Sequence, residues 1–180
     1  MRSFIAIEID PDKRMLRAIK EMKSLGTKIK AVEIENIHLT LKFLGEIDER
    51  QVESISKDME SLSKYEEFNI QLKGVGAFPS VDRPRVIWVG VVYPETLENI
   101  WRDVEEIAYR AGIDRESRGF SPHITIGRLK ERSIGRLRTF MEKYSDAEFG
   151  AQRVREIKLK KSDLTPSGPI YSDIFSVKLR

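Results

Sequence analysis

Apolar and polar residues alternate with a period of two along several stretches of the chain, and with a period near 3.6 between them. Residues 2–9 (RSFIAIEI) read as a first strand. Asp10 and Pro11 then open a helix. Its apolar positions Met15, Leu16, Ile19, Met22 and Leu25 recur at helical spacing until Gly26 stops the run. Residues 29–34 and 37–44 read as two strands. Asp48 starts a second helix with Val52, Ile55, Met59 and Leu62 as its buried stripe. FNIQLKGVGAF (68–78) and RVIWVGVV (85–92) are strands, joined by the turn-rich PSVDRP. A third helix begins near Pro94, buries Leu97, Ile100, Trp101, Val104, Ile107, Ala108 and Ala111, and ends at Gly112. A strand at 122–129 follows, then a helix near 133–144 facing Ile134, Leu137, Phe140, Met141 and Tyr144 inward. Strands at about 149–160 and 171–179, joined by the loop LTPSGPIY, finish the chain.

Hairpin-length links between strands predict largely antiparallel sheets. In both halves a strand containing His-x-Thr leads into a charged amphipathic helix. That repetition predicts two similar α+β units related by a pseudo-twofold axis. The 180 residues fit one two-lobed domain over 1–180, with no linker or low-complexity segment.

Composition narrows the chemistry. The chain has no cysteine, which excludes disulfides, zinc-thiolate sites and thiol nucleophiles. No apolar run is long enough to span a membrane, and the N-terminus carries acidic residues where a signal peptide would not. The expected location is therefore the cytoplasm. Apolar residues make up 40% and charged residues 34%, with a net charge of only +3, so the charge balance itself fits an ordinary solvated surface. The basic residues do thicken late in the chain. Arg128, Lys130, Arg132, Arg136 and Arg138 are followed by Arg153, Arg155, Lys158, Lys160 and Lys161, a distribution attractive to a polyanion.

The protein's two histidines stand in NIHLTLKFLG (36–45) and SPHITIGRLK (121–130), 85 residues apart. On a strand, His38 and Thr40 share one face while Leu39 and Leu41 share the other; His123 and Thr125 oppose Ile124 and Ile126 in the same way. Each strand buries its aliphatic side and offers an imidazole and a hydroxyl on the opposite side. A core histidine that happens to lie near a threonine explains either motif alone. The same arrangement at both histidines points to a shared purpose. Two imidazoles facing one cavity can act as base and acid in a single step near neutral pH. Threonine hydroxyls can donate to non-bridging phosphate oxygens. Such an array suits in-line displacement at phosphorus without a metal. A cyclic phosphodiester fits it well, because water and leaving alkoxide lie on opposite sides of the phosphorus. Two histidines with threonine neighbours are a poor metal set. Ser121 beside His123 is no nucleophile elbow. GVGAF (74–78) lacks the rest of a dinucleotide fingerprint and reads as a bulged strand.

These paired His-x-Thr-x motifs resemble the two-histidine phosphoesterase superfamily. With RSFIAIEI, GVGAFPSVDRPRVIWVGV and LTPSGPIYSDI, they resemble its RNA 2′,3′-cyclic phosphodiesterase branch, also called the 2′-5′ RNA ligase family. The resemblance implies an α+β, bilobal, duplicated fold: two antiparallel sheets face a central cleft and helices pack outside. It implies hydrolysis of RNA 2′,3′-cyclic phosphate ends to 2′-phosphate ends with no cofactor, and weak reversible 2′-5′ joining. By matching positions, His38 would be the proton donor and His123 the proton acceptor, although the near-symmetric motifs do not themselves assign those roles. Thr40 and Thr125 would hold phosphate oxygens. Phe43 and Arg128, five residues after each histidine, would clamp the terminal base. Five is an odd number, so strict alternation sends both to the wrong face, and only a bulge or a strand end repairs this. Ser121 and Pro122 would shape the approach to His123. Phe78, Arg83 and Arg85 are candidates for the cleft border. Lys42 shares the predicted face of His38, to touch RNA or solvent. Trp88 and Trp101 lie on buried patterns and are expected in the core. A non-catalytic RNA-end or nucleotide binder, and the same chemistry on another diester such as a 2′-5′ oligonucleotide, are the alternatives.

Overall fold

The structure is a computed structural model that describes residues 1–131 and 135–180. Its strands are β1 (Arg2–Glu8), β2 (Ile29–Ala31), β3 (His38–Glu46), β4 (Phe68–Phe78), β5 (Val86–Val92), β6 (His123–Leu129), β7 (Glu148–Val154), β8 (Glu156–Thr165) and β9 (Gly168–Lys178). Its helices are α1 (Lys13–Lys23), α2 (Glu49–Met59), α3 (Glu95–Arg110) and α4 (Leu137–Tyr144). Ile134, expected on the last helix, and Arg132 of the basic run lie outside the described residues.

Local chemistry sets the helix ends. Asp12, one residue after the expected Pro11 start, caps α1 by accepting from the Met15 amide at 2.9 Å. Asp48 and Gln51 form a reciprocal capping box on α2. Ile55 and Met59 of α2, and Leu97, Ile100, Val104, Ile107 and Ala108 of α3, are buried as their spacing predicts.

The described strands form two sheets, ordered β3-β1-β8-β9 and β2-β6-β5-β4-β7, and their pairings are antiparallel. The β3-β1 pair, bridged by α1, matches the β6-β5 pair, bridged by α3. The flanking strands are exchanged. β4, from the first half, completes the second sheet, and β8 and β9, from the second half, complete the first. The helices cross over too: α1 packs against β2, β7 and α4, and α3 packs against β3 and α2. Aliphatic side chains of both sheets, including Ile5, Ile7, Leu39, Leu41, Ile87, Val89, Ile124 and Ile126, form one core beneath these helices.

The C-terminal region differs from expectation. The stretch read as a single strand at 149–160 is two strands. β7 pairs with β4 in one sheet, and β8 pairs with β1 in the other. The chain changes sheets at Arg155 without a glycine or proline to announce it. The loop LTPSGPIY is instead the tight tip of the β8–β9 hairpin, in which Thr165 pairs with Gly168.

Candidate active site

β3 and β6 approach until their Cα atoms lie within 8 Å, which brings the two histidine strands together where the sheets meet. The ring anchoring is the same in both motifs. His38 Nδ1 lies 2.7 Å from the carbonyl of Asn36, and His123 Nδ1 lies 2.9 Å from the carbonyl of Ser121. A carbonyl only accepts, so each Nδ1 carries the proton and each Nε2 is left to react. Ser121 thus contributes through its backbone. Thr40 Oγ1 lies 2.9 Å from His38 Nε2, and its hydroxyl donates to the unprotonated nitrogen.

A β-bulge in each strand decides the rest of the site. Opposite β1, Thr40 pairs with Ala6 and Lys42 with Ile5, leaving Leu41 as the extra residue. Opposite β5, Thr125 pairs with Trp88 and Gly127 with Ile87, leaving Ile126 as the extra residue. Both bulges fall three positions after the histidine. Phe43, paired with Phe4, and Arg128, paired with Val86, therefore swing onto the faces of His38 and His123. Phe43 is 67% exposed, so it is not a core residue.

The same bulge overturns the placement of Lys42. It turns inward, is only 8% exposed, and meets Glu105 of α3 at 3.0 Å and the carbonyl of Asp114 at 2.8 Å. Trp88 is also displaced from its expected place. It stands on the cleft face opposite Thr125 and lies over Gly76, where an added Cβ would be 2.2 Å from the indole. Trp101 is half-buried and stacks on Phe120, with ring centroids 5.1 Å apart, rather than filling the main core. Phe78 does border the site, edge-on to His123 at 4.8 Å and 5.3 Å from Trp88. The side chains of Arg83 and Arg85 are exposed.

Several site residues escaped the sequence reading. Tyr171 of β9 stands edge-on to His38 at 5.5 Å, and Phe4 lies 5.0 Å from the same ring. Glu8 is paired with His38 across β1–β3. Lys160, 8% exposed, bonds Glu8 at 2.5 Å and Asp173 at 3.0 Å, and Lys158 bonds Asp173 at 2.8 Å and Glu8 at 3.2 Å. The only sequence signal was a period-two pattern in β1, which places Phe4, Ala6 and Glu8 on one face, and a matching Lys158/Lys160 alternation in β8.

This charge quartet also corrects the picture of a late basic stripe. Arg153 and Arg155 pair with Glu67, Arg138 with Asp82 and Lys161 with Asp163. Much of the run is neutralised locally. Burial is the main cause that pushes the His38 imidazole below its ordinary value, and the cations of Lys160 and Arg128 add to it. The Asn36 carbonyl and Glu8 oppose them. Arg128, carried by the second sheet, thus acts on a histidine of the first across the cleft. Burial raises the Tyr171 phenol, against the pull of Arg128, Arg2 and Lys160.

The family description "LigT like Phosphoesterase" matches this chain twice, over residues 7–88 and 89–171, once around each histidine. The chain belongs to that family. The double match also accounts for the repeated motif. A Methanothermobacter thermautotrophicus protein is 38% identical over 97% of this chain and 96% of its own length. A Methanocaldococcus jannaschii protein is 40% identical over 97% and 98%. Both are named RNA 2′,3′-cyclic phosphodiesterase. The crystal structure of a Thermus thermophilus protein superposes with a TM-score of 0.80 at 26% identity, covering 100% of this chain and 98% of that one. E. coli LigT in complex with 3′-AMP shares the fold, with a TM-score of 0.77 at 24% identity over 99% of this chain and 97% of that one. Among the described residues no helix is long and apolar enough to cross a membrane.

Proposed function

We infer that this protein is a hydrolase that opens 2′,3′-cyclic phosphate ends of RNA to 2′-phosphate ends. The observation that carries the reading is the matched anchoring of two imidazoles, each with Nδ1–H tied to the carbonyl two residues upstream, on strands that meet at one cleft. The two Nε2 atoms, that of His38 bonded to the Thr40 hydroxyl in the free protein, then serve one phosphorus.

In the step, His123 takes a proton from water as the water oxygen bonds to phosphorus. The bond from phosphorus to the 3′ oxygen breaks, and His38 gives its Nε2 proton to that oxygen. The products are a 3′-hydroxyl and a 2′-phosphate. Thr40 and Thr125 donate to the non-bridging oxygens, where charge builds. This division of roles follows the family positions. The electrostatics of the first sheet add a condition to it. In the free protein, burial and the cations Lys160 and Arg128 favour neutral His38. An anionic diester beside those cations offsets their repulsion, so His38 gains its proton as substrate enters. Phe43 and Arg128, brought to the cleft faces by the bulges, hold the terminal base between a ring and a guanidinium.

The partner is RNA carrying a 2′,3′-cyclic phosphate or 2′-phosphate end. With the 5′-hydroxyl of a second strand in place of water as nucleophile, the same grip breaks the bond from phosphorus to the 3′ oxygen and joins ends 2′-5′. A cytoplasmic location fits a chain without cysteine. Product analysis of an oligoribonucleotide with a cyclic end tests the reading. A 2′-phosphate product with the chelator EDTA present supports it, and a 3′-phosphate product or a chelator-abolished reaction sinks it. The same assay on a 2′-5′ linked dinucleotide separates the other-diester alternative, and tight binding without any turnover would mark a binder.

A further inference from the structure

A second cation stands beside the clamp. Lys30 of β2 is the direct cross-strand partner of Arg128 on β6, so its side chain leaves the same face of the sheet as Arg128, His123 and Thr125. Like charges directly opposite one another destabilise a strand pair. Some neighbouring cations do have carboxylate partners. Lys28, two residues earlier, meets Glu131 at 2.7 Å, and Lys158 and Lys160 share Glu8 and Asp173. Neither Lys30 nor Arg128 has a carboxylate oxygen within 4.0 Å among the described residues. Their charges stay uncompensated on an exposed face, as a site for an anion requires.

Position narrows the anion. A methyl group built on Gly168 would lie 3.5 Å from Lys30 Nζ. The ammonium of the second sheet therefore stands at the tip of the β8–β9 hairpin of the first sheet. Tyr171, which abuts His38, is three residues from that glycine, and the Asn36 amide holds the tip by donating to the Pro169 carbonyl at 3.2 Å. Lys30 and Arg128 thus span one side of the cleft, outward from the imidazoles.

We propose that Lys30 holds the phosphodiester next to the cyclic end, and so makes the preferred substrate an RNA strand rather than a lone cyclic nucleotide. The proposal rests on the hydrolase reading above. The terminal nucleoside of an RNA bears, at its 5′ oxygen, an anionic phosphate that a nucleoside 2′,3′-cyclic phosphate lacks. With Arg128 engaged on the terminal nucleotide, the neighbouring charge falls to Lys30. A compact ammonium on a flexible stem suits a phosphate read without regard to sequence.

The test compares wild type, Lys30→Ala and Lys30→Arg. Binding is measured by fluorescence anisotropy on a labelled oligoribonucleotide ending in 2′-phosphate, with a nucleoside 2′-phosphate as competitor. Lys30→Ala is expected to weaken oligonucleotide binding about tenfold, the loss of one charge-assisted contact. It should also flatten the slope of log affinity against log salt by about 0.7. Nucleoside 2′-phosphate binding stays unchanged, and Lys30→Arg restores most of the loss. In turnover, KM for the cyclic-ended oligonucleotide rises while kcat holds. An equal loss on both ligands, or none on either, overturns the proposal. The two readings fail separately. Lys30-dependent RNA binding without turnover of any cyclic end removes the hydrolase and keeps the subsite. Turnover with RNA binding indifferent to Lys30 does the reverse.

Discussion

The two halves of the cleft carry the same grip on different floors. Around His38 and Thr40 stand Ala6, Glu8, Lys158 and Lys160. The matching positions around His123 and Thr125 are Trp88, Gly90, Gly76 and Phe78. One floor is a lattice of ion pairs, and the other is an indole laid across glycine with a phenyl edge beside it. The charged floor makes the protonation of His38 respond to whatever anion enters, because Lys160 and Arg128 repel an imidazolium that Glu8 attracts. On the aromatic floor the Phe78 ring stands edge-on to His123, with Trp88 behind it. The repeat keeps the imidazole and the hydroxyl and lets their surroundings diverge, which is one way for two like groups to take unlike roles.

The largest effect expected from disturbing this comparison is the loss of either ring. His38→Ala and His123→Ala should each lower kcat by about 10²–10⁴ on a cyclic-ended RNA. Circular dichroism should confirm that both variants stay folded. If either retained the parent rate, the shared grip would be wrong. Next comes the residue after each bulge, which faces the core in both halves: Lys42 in one and Gly127 in the other. Lys42→Ala strands Glu105 as an uncompensated buried charge and should cost about 3–5 kcal/mol in urea unfolding. Replacing both partners, Lys42→Met with Glu105→Leu, should recover most of that.

A smaller change tests the charged floor itself. Lys160→Met removes a cation that disfavours protonated His38, so the His38 titration should move up, toward its ordinary value. Histidine NMR reads the shift directly, and the alkaline limb of the kcat profile should move to higher pH with it. Glu8→Gln removes an anion that favours the imidazolium and should move both in the opposite direction. Mildest is Gly127→Ala. Its methyl would meet Met22 Cε at 2.9 Å, the flexible end of a side chain, and should cost about 1 kcal/mol with activity intact.

Much of this site was legible in the residues. The His-x-Thr alternation put imidazole and hydroxyl on one face and aliphatics on the other, and strand pairing keeps that arrangement. Strict alternation failed at the next step, at Lys42 and at the five-residue offset to Phe43 and Arg128. Leu41 and Ile126 look like ordinary strand residues. What makes them bulges is the register each strand takes against β1 or β5, which is a property of the closed sheet. Trp88 was misplaced for a related reason. Its apolar neighbours imply a core, but the space it occupies exists only because Gly76 lies directly across on β4. Glu8, Lys160 and Tyr171 come from three strands distant in sequence, and no short window contains their meeting at His38. The break at Arg155 was hidden because a strand that passes from one sheet to another keeps the same local pattern.

The exchange of flanking strands has a consequence for any attempt to divide the protein at its midpoint. A fragment ending at Arg85 contains β1 and β3 but not β8, which covers the far edge of β1. The complementary fragment contains β5 and β6 without β4. Each piece would expose a bare row of backbone amides and carbonyls that is shaped to receive a strand held by the other. Mixed together, the two pieces have reason to seek each other out. Kept apart, each is primed to stick to copies of itself.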